Sequence, residues 1–305
     1  MTAIVFPGQG SQYVGMAMDF NKNFKFSSSV FEEIEDYTKI NIREIISENK
    51  DNLLNQTNFT QIAIFSASIV IYKTLLHVNG SKKINPRAVL GHSLGEYTAL
   101  VANNSLDLKN ASNLIKIRGD IMNSAIIPNT SGMAAIIGKN SEFVRSIIKK
   151  NQLNIEIAND NSPFQVVISG LIKDIDFAET IFKSESVKRY VKLNVSAAFH
   201  SKLMLAAQDK LSLKIDEHSF SAPDIPIISN FNASINQDKS EIIYSLKNQM
   251  ANKVRWTESI KKLEKMNINN VIEIGPNKVL SALISRISNN FIIKSIDKIE
   301  DLKKI

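Results

Sequence analysis

Cysteine is absent from all 305 residues, which removes disulfides, thiolate zinc sites and cysteine nucleophiles together. Histidine occurs only four times, at His77, His92, His200 and His218, so chemistry that needs an imidazole has few places to occur. The longest uncharged stretch, residues 52–72, is interrupted by Asn, Gln, Thr and Ser and reads as a buried helix, not a membrane span. The opening Met1-Thr-Ala-Ile-Val-Phe6 runs straight into a strand-like pattern. It lacks the basic, apolar and small-residue parts of a secretory signal and the Arg/Ser bias of a transit peptide, so the expected location is cytoplasmic. No internal repeat and no low-complexity linker divides the chain.

What is present is an ordinary globular composition, 44% hydrophobic and 22% charged, with length for one large α/β domain carrying an insertion or for two domains. The net charge is +7 and the pI about 9.3, which favours an acidic macromolecular partner. The lysine pairs Lys82-Lys83, Lys149-Lys150, Lys261-Lys262 and Lys303-Lys304 are scattered, without a block or interleaved aromatics. That pattern argues against nucleic acid.

Strand-like and helix-like segments alternate. The patterns predict strands over 3–6, 88–90, 133–137, 155–158, 165–169, 190–195, 225–229, 271–274 and 291–294. They predict helices over 29–37, 61–76, 96–102, 108–122, 142–151, 175–182, 201–215, 241–250 and 278–287, with Asp107 as an N-cap. After the turn cluster Pro128-Asn-Thr-Ser-Gly132 the order is β-α-β-β-α-β, the ferredoxin-like arrangement. The expected division is therefore a large α/β domain of residues 1–125 and 197–305 with a small inserted subdomain of residues 126–196.

The densest chemical signal is Gly91-His92-Ser93-Leu94-Gly95 between an apolar strand and a helix. This is Gly-x-Ser-x-Gly in the strand–turn–helix context that exposes a serine at a helix N-terminus. There, unpaired N–H groups and the helix dipole favour a developing oxyanion. The glycines suit a turn too tight for side chains. Phe6-Pro-Gly-Gln-Gly-Ser-Gln12 follows the first strand, at the sheet edge where α/β proteins place their sites. Gln9 could offer an amide N–H there, and the missing Lys-Ser/Thr ending excludes a P-loop. His200, in Asn194-Val-Ser-Ala-Ala-Phe-His-Ser201, is the base by elimination: His92 adjoins Ser93 and should point elsewhere, His77 looks like a helix C-terminal residue, and His218 sits in a polar stretch. Arg118 interrupts an apolar helical run; it reads either as a salt-bridge member or as a carboxylate receptor, since a guanidinium binds a carboxylate by two parallel hydrogen bonds.

Six segments occur in order: Pro7-Gly-Gln-Gly-Ser-Gln12, Gly91-His-Ser-Leu-Gly95, Arg118-Gly119, Asn161-Ser-Pro-Phe-Gln-Val-Val-Ile-Ser-Gly170, Ala198-Phe-His200 and Glu273-Ile-Gly-Pro276. On these the chain resembles the malonyl-CoA:acyl-carrier-protein transacylases of bacterial type II fatty acid synthesis, from Ala3 to about Ile287. The resemblance implies an α/β hydrolase-like parallel-sheet core with a ferredoxin-like insert. It implies Ser93 as nucleophile, His200 as base held by backbone carbonyls near Gln249, and an oxyanion hole from Gln9 and the Leu94 N–H. It implies Arg118 on the malonyl carboxylate, Phe199 crowding a 2-methyl group, and His92, Asn161 and Gln249 lining or supporting the site. One departure is Asn252-Lys253, where the family often has Asn-Pro. The implied substrates are malonyl-CoA and the phosphopantetheine thiol of an acidic acyl carrier protein. No permanent cofactor, metal, nucleic acid or membrane is implied, and a monomer is expected. A serine esterase or thioesterase with water as acceptor, a polyketide-serving acyltransferase and a non-catalytic carrier-protein scaffold are the other readings of the same motifs.

Overall fold

A computed structural model describes residues 1–80, 84–125 and 130–305. Lys82, Lys83, the first two residues of the turn cluster at 128–132 and the expected boundary at 126 lie outside the described residues. Along the chain β1 (Thr2–Phe6) is followed by α1 (Met18–Asn23), α2 (Lys25–Thr38), α3 (Ile42–Glu48) and α4 (Thr57–Asn79). Then come β2 (Pro86–Gly91), α5 (Leu94–Ala102) and α6 (Leu108–Ser124). The middle of the chain forms β3 (Ser131–Ile137), α7 (Ser141–Lys150), β4 (Ile155–Ser162), β5 (Gln165–Leu171), α8 (Ile172–Ser184) and β6 (Arg189–Lys192). The last part forms α9 (Leu205–Asp216), β7 (Ile227–Ile228), β8 (Ile235–Asn236), α10 (Lys239–Lys247), α11 (Trp256–Lys265), β9 (Asn270–Ile274), α12 (Val279–Ile287) and β10 (Ile292–Ile296).

The strands make two sheets. The larger has order β10-β9-β1-β2-β7-β8, parallel except at β8, which returns antiparallel to β7. Its inner strands are near-continuous apolar runs because helices cover both faces: Ala3, Ile4, Val5 and Phe6 of β1 are all fully buried. The smaller sheet is antiparallel with order β4-β5-β3-β6, so each of its two βαβ units brackets a strand of the other, the ferredoxin-like topology. α4 is long and apolar enough to cross a membrane, yet 83% of its most apolar window is buried inside the chain. Phe65, Ile69 and Val70 of α4 sit in the main core with Phe6 and Phe31.

Several boundaries shift from the sequence expectation, each for a local reason. The strand expected over 225–229 shortens to Ile227–Ile228 because the chain turns back at Ser229, whose N–H bonds to Ser234 O, to form β8. The helix expected to reach 250 ends at Lys247, capped by the Asn248 N–H on Tyr244 O. The strand expected over 190–195 stops at Lys192, after which Val195 N–H turns onto Leu193 O. The helix expected from 201 begins as a 3-10 turn over Lys202–Met204 before α9. Asp107 caps α6 as expected, accepting from Asn110 N–H at 2.7 Å.

Candidate active site

A parallel sheet delivers all its carboxyl ends to one edge, and the register makes this specific: Phe6 of β1 lies level with Gly91 of β2. The loops that follow therefore start side by side. At Gly91 and Gly95 a side chain has no room. A Cβ on Gly91 would lie 1.9 Å from the Gly95 carbonyl carbon, and one on Gly95 would lie 2.1 Å from Phe6 O. Ser93 between them is held at φ 51°, ψ −105°, a backbone state that L residues adopt only when the surroundings impose it. The imposition is visible. Asn230, just past β7, accepts from Ser93 N–H at 2.6 Å and donates its side-chain amide to Gly91 O at 2.7 Å. Gly8 packs against the His92 carbonyl, which a Cβ there would approach to 2.3 Å, so the loop holding Gln9 lies directly on the elbow.

Ser93 Oγ sits between two nitrogens, His200 Nε2 at 2.9 Å and an Arg118 guanidinium nitrogen at 3.0 Å. On its other side the His200 ring donates from Nδ1 to Gln249 O at 3.0 Å and Asn252 O at 3.1 Å. These two acceptors fix the tautomer, leaving Nε2 unprotonated and facing the serine. Lys253 in place of proline has not removed the Asn252 carbonyl. Burial and the nearby Arg118 charge push His200 down to about 3, so the ring is a neutral acceptor across the working pH range. This is the geometry in which a histidine takes a hydroxyl proton.

Arg118 is 1% exposed and, among the described residues, forms no ion pair. Its guanidinium donates to Gln61 Oε1 at 2.5 Å and Gln249 Oε1 at 3.1 Å, lies 5.2 Å over the Tyr97 ring, and leaves its Nε–H without an acceptor. Gly119 lets α6 approach the start of α4 closely, since a Cβ there would meet Asn58 Cα and O at 2.9 Å; that contact brings Arg118 to Gln61. A buried guanidinium without a counter-charge attached to it is costly, and the chemistry of such a site is to receive an anion.

The other expected residues separate. His92 points away from the serine, its Nε2 at 2.8 Å from Asn161 Oδ1 and its ring 5.5 Å from Trp256, so this pair stitches the elbow to β4. Gln9 directs its side-chain amide at Thr57 Oγ1, 3.5 Å away, and Leu94 opens α5 directly after the serine. Phe199 is 4% exposed within the main apolar cluster, and its carbonyl accepts from Ser169 Oγ at 2.6 Å. Glu273 of the Glu-Ile-Gly-Pro segment caps α12 through Leu280 N–H at 2.9 Å and Ser281 N–H at 2.7 Å, a structural task. Among the described residues no cluster of His, Asp or Glu has metal-binding geometry. Sequence reading missed Gln61, Asn230 and Glu96. Glu96, a lone charge in the apolar run of α5, carried the same signal that singled out Arg118; Asn230, in Ser229-Asn-Phe-Asn232, carried none.

A cleft of about 530 Å³ opens between the start of α4 and the edge of the smaller sheet, lined by Thr57, Ser131, Met133 and Ser196 among others. Thr57 Oγ1 links it to Gln9 and to Ser196 Oγ at 2.9 Å.

A hydrolase-like sheet with a serine on a strained elbow, a neutral histidine on carbonyls and, among the described residues, a buried guanidinium without an ion pair defines an α/β protein of the acyl-transferring class. The sequence model described as the Acyl transferase domain matches residues 3–299, and the chain belongs to that family. A malonyl CoA-acyl carrier protein transacylase of Bacillus subtilis is 35% identical over 94% of this chain and 90% of its own length. The structure of an acyl carrier protein S-malonyltransferase from Vibrio cholerae superposes with a TM-score of 0.94 at 33% identity, covering 99% of both chains. A malonyl-transacylase solved in complex with a type II PKS acyl-carrier protein superposes equally well, with a TM-score of 0.94, 33% identity and coverage of 99% and 98%.

Proposed function

We propose that this chain transfers the malonyl group of malonyl-CoA to the phosphopantetheine thiol of a holo acyl carrier protein, through a malonyl ester on Ser93. The observation that carries the reading is the position of Ser93 Oγ, 2.9 Å from His200 Nε2 and 3.0 Å from Arg118. The nucleophile and the anion receptor are close enough that a carboxylate on Arg118 puts a carbonyl one methylene away within reach of the hydroxyl oxygen.

His200 Nε2 takes the Ser93 proton as Oγ bonds to the thioester carbon. The oxyanion lies toward the N–H groups of Leu94 and Gln9. The C–S bond breaks, coenzyme A leaves with the proton from His200, and the malonyl-serine ester remains. The carrier-protein thiol then gives its proton to His200 and attacks the ester carbon. Ser93 leaves, recovers the proton, and malonyl-carrier protein is released. Phe199 is assigned the exclusion of a 2-methyl branch. The cleft at Thr57 and Ser196 is the approach assigned to the pantetheine arm. The product supplies elongation of a fatty acid or polyketide chain, and the reading carries with it a cytoplasmic monomer.

The test is intact-mass measurement of a holo acyl carrier protein after incubation with equal malonyl-, methylmalonyl- and acetyl-CoA. The expected result is a malonyl shift alone, abolished in Ser93→Ala along with the malonyl-enzyme mass. Coenzyme A release without a carrier shift would replace the transferase by a hydrolase.

A further inference from the structure

Glu96, in the first turn of α5, is 2% exposed, and among the described residues no lysine, arginine or histidine forms an ion pair with it. A buried carboxylate without a cation requires other compensation. Here one oxygen, Oε2, accepts both Gln249 Nε2–H at 2.7 Å and Asn230 N–H at 3.1 Å. The Ser229 hydroxyl also bonds to this carboxylate; the other two partners hold the reacting groups. Asn230 clamps Ser93 N–H and Gly91 O. Gln249 donates from Nε2 to Ser93 O at 2.9 Å, accepts on Oε1 from Arg118 at 3.1 Å, and accepts on its backbone O from His200 at 3.0 Å.

The Gln249 amide therefore stands between a carboxylate and a guanidinium, and only one orientation satisfies both. Its NH2 must face Glu96 and its oxygen must face Arg118, since the reverse sets donors against donors and oxygen against oxygen. Ser93 O and Arg118 favour the same orientation, and Glu96 adds the one charged acceptor on the NH2 side. Without that charge the amide is held less firmly, and the guanidinium that donates to its oxygen loses part of its bearing.

We propose that Glu96 is a positioning residue for acyl-group selection: through the Gln249 amide it fixes the Arg118 guanidinium where the acyl carboxylate arrives. The proposal rests on the malonyl-transfer reading above. Glu96 touches neither substrate nor the reacting atoms. The alternative is a buried group that only stabilises the start of α5, where the helix dipole favours an acid.

The two are separated by the ratio of kcat/KM for malonyl-CoA to that for acetyl-CoA, which is independent of how much of a preparation is folded. In Glu96→Gln, which keeps the shape and removes the charge, the ratio is expected to fall roughly tenfold, chiefly through a higher KM for malonyl-CoA. Glu96→Asp, which keeps the charge, is expected to retain most of the ratio. In a Gln249→Leu background Glu96→Gln is expected to add no further loss of selectivity, because its route to Arg118 has been cut. Equal losses for both substrates in Glu96→Gln would overturn the proposal and leave a structural role. Should Glu96→Gln yield no folded enzyme, a Gln249→Leu enzyme with the wild-type ratio overturns it as well. A wild-type chain that transfers no malonyl group to carrier protein would remove the underlying reading, an outcome distinct from an unchanged ratio.

Discussion

His200 is held away from its protonated form by burial and by Arg118, down to about 3, against an unfolded value near 6.5. Between those values the unfolded chain binds the extra proton and the folded chain does not. Stability contributed at this residue is therefore complete above about pH 6.5 and is lost as pH falls toward 3. Urea unfolding at pH 7 and pH 4.5 checks this: wild type should lose up to about 1.4 kcal/mol per pH unit more than His200→Gln across that window. The same depression predicts a kcat/KM for malonyl-CoA without an acid limb near 6.5, and such a limb would contradict the neutral, carbonyl-held ring. At Arg118 the expected effect is on selectivity. Arg118→Ala should lose about a hundredfold in kcat/KM for malonyl-CoA, and far less for acetyl-CoA, because only the malonyl group carries a charge for the guanidinium to meet.

At the scale of elements, the site depends on how closely backbones approach. α6 and α4 touch at Gly119, where any Cβ would lie 2.9 Å from the Asn58 backbone. Gly119→Ala is expected to lower the melting temperature and to raise the KM for malonyl-CoA, since the helix that carries Arg118 must move off Gln61. Calorimetry with steady-state kinetics would show both; a stability loss with unchanged KM would mean that α6 pivots without displacing the guanidinium. Asn230→Ala removes the acceptor for Ser93 N–H and the donor to Gly91 O. It should cost about 1–3 kcal/mol of stability and lower kcat, as the strained serine relaxes from φ 51°. The apolar patterns located the strands that carry these loops, and Gly-x-Ser-x-Gly located the elbow. α1, α3 and α11 went unread, α1 and α3 for their shortness and α11 because five of its ten residues are charged. α11 is ordered instead by Trp256, Ile260 and Leu263 packing under the sheet.

Across the whole molecule, in the proposed reaction, the net charge of +7 would act at long range on an acidic carrier protein. With carrier protein as acceptor, kcat/KM should fall steeply as salt rises from 20 to 300 mM, on the order of tenfold or more. With free pantetheine, an uncharged acceptor, it should change little. Similar slopes would place the salt effect on malonyl-CoA binding instead.

Local order was enough to set the type of most elements (though not α11), the two-sheet α/β class, and Ser93, His200 and Arg118 as the residues to watch, because periodicity, glycine-bounded turns and a lone charge in an apolar run are all local signals. What required the tertiary structure was everything that depends on which loops meet at the sheet edge. Asn230 reaches Ser93 across 137 residues of sequence and Glu96 reaches Gln249 across 153. The carbonyls that orient His200, expected near Gln249 only from the family resemblance, are Gln249 O and Asn252 O; the residues alone did not point to them, because a backbone oxygen is the same whichever side chain accompanies it.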